Sequence, residues 1–103
     1  MKTPEGVVKE GIKRVLKKYN IWYFMPAANG FGKQGVSDFI CCWEGQFLAI
    51  EAKAPGKEKD TTPNQERFIS EVKLNGGWAF VCDDAAALDN WLRLQETVTC
   101  LMK

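Results

Sequence analysis

Residues Val36 to Lys53 read VSDFICCWEGQFLAIEAK, and the fold turns on them. Two largely apolar runs, Val36 to Trp43 and Gln46 to Lys53, are separated only by Glu44-Gly45. A connection that short joins antiparallel strands as a hairpin. Side chains alternate along a strand. Phe47, Ala49, Glu51 and Lys53 therefore share one face, and Leu48, Ile50 and Ala52 share the other. With the turn at Glu44-Gly45, Asp38 lies approximately across from Glu51. Two carboxylates and an ammonium meet at one end of the hairpin. Both strand neighbours of Glu51 are apolar, and a carboxylate emerging from a buried strand is costly unless something pairs with it.

Upstream, Thr3-Pro4-Glu5 reads as a helix start, with Thr as N-cap and Pro at the first helical position. Val8, Ile12, Val15, Leu16 and Tyr19 follow at helical spacing, with Gly6 and Gly11 weakening the helix. Ile21 to Met25 suits a short strand ending at Pro26, and Ala27 to Gly35 is a loop carrying Lys33. Downstream, Ala54 to Thr61 is a polar loop, and Thr62-Pro63-Asn64-Gln65 is a capping box. The helix it opens places Phe68, Ile69, Val72 and Leu74 as buried candidates and stops at Gly76-Gly77. Trp78 to Cys82 is a fourth strand. Asp83 or Asp84 caps a last helix with Leu88, Trp91, Leu92 and Gln95. The third strand, crossover helix and fourth strand form a βαβ unit, so that strand pair is expected to be parallel. The expectation is one α/β domain over residues 1–103, a small mixed sheet flanked by helices.

The 103 residues include 14 Lys and Arg against 13 Asp and Glu, a net charge of +1. Any surface for a polyanion must be a local concentration of cations rather than a global excess. No apolar run approaches the roughly 20 residues that span a bilayer. Met1 to Glu5 carries no signal-peptide apolar region, so a soluble, cytoplasmic protein without a membrane partner is expected. The four cysteines lack the spaced pairs of zinc sites and read as reduced core thiols. There is no His, which excludes His-based triads and the commonest general base.

Facing carboxylates suit a hard divalent cation, which takes oxygen ligands. A cation so held polarises a phosphate ester and lowers the pKa of a bound water. An ammonium beside it steadies developing negative charge. Each residue also has a plainer reading. Asp38 is acceptable at a strand end, and Glu51 with Lys53 as a solvated pair. Gln65 is explained by its capping box, and Glu5 by the helix dipole. The lysines of the first helix read as a solvated face. Trp22, Trp43, Trp78 and Trp91 are read as core or dimer interface rather than as base-stacking platforms.

Asp38 followed by Glu51-Ala52-Lys53 resembles the PD-(D/E)xK nuclease signature. Further segments follow in order: Pro4-Glu5-Gly6, Asn29-Gly30, Gly35-Val36-Ser37-Asp38, Ile50 to Gly56, Thr62 to Gln65 and Gly76-Gly77. Together they resemble the virus-type replication-repair nuclease domain (VRR-NUC), over roughly residues 3–85. The resemblance implies a restriction-endonuclease-like core. It implies that Asp38, Glu51 and the Ala52 carbonyl bind Mg²⁺ or Mn²⁺, and that Glu5 reaches the metal directly or through water. Lys53 would contact the attacking water or the scissile phosphate, with Gln65 beside it. Lys33, Lys57 and Lys59 are the expected contacts to DNA phosphates.

Stand-alone members of that family resemble Holliday junction resolvases and act as homodimers. The resemblance thus implies a metal-dependent endonuclease on branched or junction DNA, with flap or duplex DNA as the nearer alternative. A non-catalytic DNA-binding or assembly subunit is the rival from another class. Where the family commonly has Pro before the Asp, this chain has Ser37, which leaves the metal ligand Asp38 in place.

Overall fold

A computed structural model describes residues 2–27 and 32–102, with side chains as far as residue 96. The elements are α1 (Pro4–Lys18), β1 (Trp22–Phe24), β2 (Phe39–Trp43), β3 (Gln46–Ala52), α2 (Pro63–Leu74), β4 (Trp78–Cys82) and α3 (Ala85–Met102). The hairpin forms where the sequence places it. Glu44 and Gly45 have φ of 51° and 76°, the type I′ pattern whose twist matches that of paired strands. Its register pairs Trp43 with Gln46 and Phe39 with Ile50. Carried one residue further, that register sets Asp38 opposite Glu51.

The sheet order is β1-β2-β3-β4, with β1, β2 and β3 antiparallel in turn and β3 parallel to β4. This is the mixed α/β architecture expected from the βαβ pattern. Alternation divides the apolar residues between two layers. On one face Phe39, Cys41, Leu48, Ile50, Ala52 and Cys82 pack with Val8, Ile12, Val15 and Leu16 of α1 and with Leu88 and Leu92 of α3. On the other, Ile40, Ala49 and Ala79 pack with Phe68 of α2, and Ile69 and Val72 flank them. Burying each large aliphatic or aromatic side chain contributes about 1.5–3 kcal/mol.

Gly11, expected only to weaken α1, has a packing reason. A Cβ there would stand 2.7 Å from the Ala85 Cβ, so glycine permits α1 and α3 to touch. Thr3 caps α1 by accepting from the Gly6 N–H at 3.0 Å. Asp84, not Asp83, caps α3, accepting from the Ala86 N–H at 3.0 Å.

Three tryptophans form one cluster. Trp91 lies 5.3 Å from Trp43 and 5.4 Å from Trp78 between ring centroids, and Phe80 completes it at 5.2 Å. Trp22 stands apart on the edge strand, 64% exposed, with Phe24 as its ring neighbour.

Leu74 is not buried as expected. It ends α2 at 86% exposure, two residues past Val72 and therefore off the stripe that faces the sheet. Cys41 and Cys82 are buried free thiols, which burial pushes up, Cys41 to about 12. Cys42 is free but exposed, so it is not a core thiol. The Cys100 side chain, and the Asn29-Gly30 pair of the family resemblance, lie outside the described residues. Among the described residues no helix is long and apolar enough to cross a membrane.

Candidate active site

The sheet brings its chemistry to the end where β2 begins and β3 and β4 finish. Residues 36–38 do not extend β2 as a strand. A Cβ on Gly35 would lie 2.3 Å from the Asn64 carbonyl carbon and oxygen, and its φ is +73°. This contact seats the approach to β2 against the N-terminus of α2, three residues before Asp38. Asp38 Oδ2 then accepts from the Ala52 N–H at 2.8 Å. That bond ties the first carboxylate to the last residue of β3, beside the peptide whose carbonyl is the third expected ligand.

Glu51 is 3% exposed, and its Oε1 has no hydrogen-bond partner among the described residues. Its carboxyl is pushed up to about 8, first by burial and then by the adjacent Asp38, with Lys53 pulling the other way. An acid stripped of water and set beside another acid resists ionising. A cation between the two would reverse that preference. Ser37, 1% exposed and next to Asp38, has a hydroxyl without a hydrogen-bond partner among the described residues.

Lys53 is held beside the two carboxylates, two residues past Glu51. Its Nζ donates to Gln65 Oε1 at 3.1 Å, and that oxygen also accepts from the Thr62 N–H at 3.0 Å. The capping box thus serves both ends at once: Thr62 Oγ1 accepts from the Gln65 N–H at 3.1 Å, while the Gln65 amide oxygen positions the lysine. The β3–α2 loop is pinned by Gly56 N–H to Asp83 Oδ2 at 2.9 Å.

Glu5 joins the site through a residue that sequence reasoning passed over. Lys9 Nζ lies 3.2 Å from Glu5 Oε2 and 3.6 Å from Asp38 Oδ1. Burial works to lower the Lys9 pKa, but the Asp38 and Glu5 carboxylates outweigh it and hold the ammonium above its ordinary range. The signal in the sequence was the i,i+4 spacing of Glu5 and Lys9, which reads as an ordinary helix pair. Nothing in that spacing told that Asp38 would arrive beside it.

Asp38, Glu51, Ala52, Lys53 and Gln65 are therefore gathered, and Glu5 stands behind Lys9. Lys33 is turned away, paired with Glu71 of α2 at 2.9 Å. Lys57 and Lys59 are exposed on the loop after β3. Among the described residues no three His, Cys, Asp or Glu side chains form a metal-holding group. The donors available are two carboxylates and a main-chain carbonyl. That all-oxygen set fits a hard divalent ion such as Mg²⁺ or Mn²⁺, and Glu51 Oε1 is the donor without a partner among the described residues. Compared with family models and with curated proteins, the chain matches none.

Proposed function

We infer that this chain is a metal-dependent endodeoxyribonuclease of the PD-(D/E)xK type, resembling the virus-type replication-repair nucleases. The observation that carries the reading is Glu51: an acid 3% exposed, unpartnered at one oxygen, opposite Asp38 and two residues from Lys53. Asp38, Glu51 and the Ala52 carbonyl would hold Mg²⁺ or Mn²⁺. Bound there, the ion would supply Lewis acidity toward the phosphate and make water a stronger nucleophile near neutral pH.

The chain's own residues supply the rest. Gln65 fixes Lys53, whose ammonium stands ready to orient the attacking water or to meet charge growing on the phosphate oxygens. The water oxygen bonds to phosphorus and the P–O3′ bond breaks. The water gives up its proton and the departing O3′ takes one, leaving a 5′-phosphate and a 3′-hydroxyl. Branched or junction DNA as substrate, and a homodimer as the working unit, follow from the family resemblance. One site per chain makes pairing of chains reasonable for cutting two strands.

The test is cleavage of labelled four-way junction, flap and duplex DNA with Mg²⁺, Mn²⁺ or EDTA, beside Asp38→Asn. Paired metal-dependent cuts in the junction, lost in the variant, are expected. Cutting of flap or duplex alone would keep the nuclease and discard the junction. Tight DNA binding with no cleavage of any substrate would favour the non-catalytic reading.

A further inference from the structure

The chain is nearly neutral, yet its cations are unevenly placed. Helix α1 holds Lys9, Lys13, Arg14, Lys17 and Lys18 against Glu5 and Glu10, while the remainder of the chain carries a small acid excess. Not all of these cations are free. Lys18 is bound to Asp89 at 2.8 Å, and Lys13 shares a half-exposed contact with Glu10 at 3.3 Å. Arg14 and Lys17 are exposed and have no ion-pair or hydrogen-bond partner among the described residues.

Lys9, Lys13 and Lys17 recur every four residues, so they run as one stripe along the helix. The stripe begins at Asp38, which Lys9 touches, and ends at an open trough of about 420 Å³ where Lys13, Arg14 and Lys17 outnumber the one acid, Glu10, beside Asn20, Ile21 and Tyr23. From Lys9 to Lys17 it covers about 12 Å at ~1.5 Å per residue. One strand of duplex DNA places a phosphate about every 3.4 Å of axis, so three to four phosphates lie along that length.

Resting on the nuclease reading above, we propose that the Lys9–Lys13–Lys17 stripe, with Arg14, is the track that carries the sugar–phosphate backbone of one DNA strand to the Asp38–Glu51 site. The ligand is a polyanion with regularly spaced charge, and the track is a row of regularly spaced cations that ends at the hydrolytic carboxylates. Lys9 is its innermost member. A cation held by Asp38 repels the Lys9 ammonium and frees it for a phosphate oxygen. The loop lysines Lys57 and Lys59 belong to the segment between β3 and α2, not to α1, and are not part of this track.

The experiment measures binding of a short fluorescein-labelled duplex by anisotropy across a salt series, in EDTA so that nothing is cut. Lys13→Gln with Lys17→Gln should reduce the slope of log K against log salt by about 2 and weaken binding at least about tenfold at low salt. Lys73→Gln, an exposed charge in the last turn of α2, should leave the slope unchanged. Lys13→Arg with Lys17→Arg should bind as the parent does, which separates lost charge from lost folding. A parent-like slope in the double glutamine variant overturns the track. An equal loss from Lys73→Gln overturns it in favour of diffuse attraction. A parent protein that binds neither this duplex nor a labelled four-way junction overturns the nuclease reading itself, a different result.

Discussion

At Glu51, burial and the neighbouring Asp38 set a protonation state that stability measurements can read. The folded carboxyl titrates at about 8 without metal, against an ordinary 4.5. The folded protein therefore holds a proton between those values that the unfolded chain has released. Its contribution to stability is complete below about 4.5 and is lost as pH rises through about 8. Metal-free protein should lose stability across that window, on the order of a few kcal/mol at ~1.4 kcal/mol per pKa unit. Denaturant unfolding at pH 5 and pH 9 checks it. Glu51→Gln should flatten the dependence and be the more stable protein at pH 9; an equally steep variant would place the titrating group elsewhere. On the proposed reading, Lys53 serves the reaction rather than the metal. Lys53→Ala should lower kcat by about 10²-fold or more with Mn²⁺ affinity little changed, as for other removed charge-stabilising donors. Single-turnover cleavage with parallel Mn²⁺ titration separates the two, and unchanged turnover removes its role.

Among the elements, the N-terminus of α2 matters most to the site, because one turn of helix caps itself and positions Lys53. Thr62→Ala should cost about 1 kcal/mol in denaturant unfolding, the usual loss of an N-cap. Gly35→Ala should cost more, about 2–4 kcal/mol, because it combines φ of +73° with a Cβ 2.3 Å from the Asn64 backbone. Its cleavage rate should fall further than that of Thr62→Ala, since relieving the clash moves α2 away from Asp38. A Gly35→Ala protein of parental stability and rate would show that this seating is dispensable.

Periodicity made most elements legible: the hairpin, the capping box and β4 lie where alternation and turn chemistry place them. Residues 36–38 precede the apolar run of β2, and alternation alone extends the strand through them. The glycine before them is seated against the start of α2, and Asp38 turns its side chain to the Ala52 N–H, contacts made across sequence-distant residues.

For the molecule as a whole, the proposed metal and the proton on Glu51 would compete for the same carboxylates. Saturating Mg²⁺ or Mn²⁺ should raise Tm, with ~2.7 kcal/mol gained at a hundred times Kd. For a domain near this size that is a shift of roughly 10 °C or more at ~4–8 °C per kcal/mol. The shift should grow from pH 6 to pH 8 as the proton on Glu51 becomes easier to displace, and should vanish in Asp38→Asn. Thermal melts with and without metal at both values measure it; a shift that persists in the variant would put the ion at another place.

The sequence by itself determined the α/β class, the strand pairing and the meeting of Asp38, Glu51 and Lys53, because those follow from alternation and one tight turn. Only the tertiary structure decided what surrounds them. Lys9 joins Asp38, Gln65 turns its cap toward Lys53, Lys33 leaves for Glu71, and Glu51 loses its water. Those are contacts between elements far apart in the chain, and local spacing carries no information about which helix face will cover which strand end.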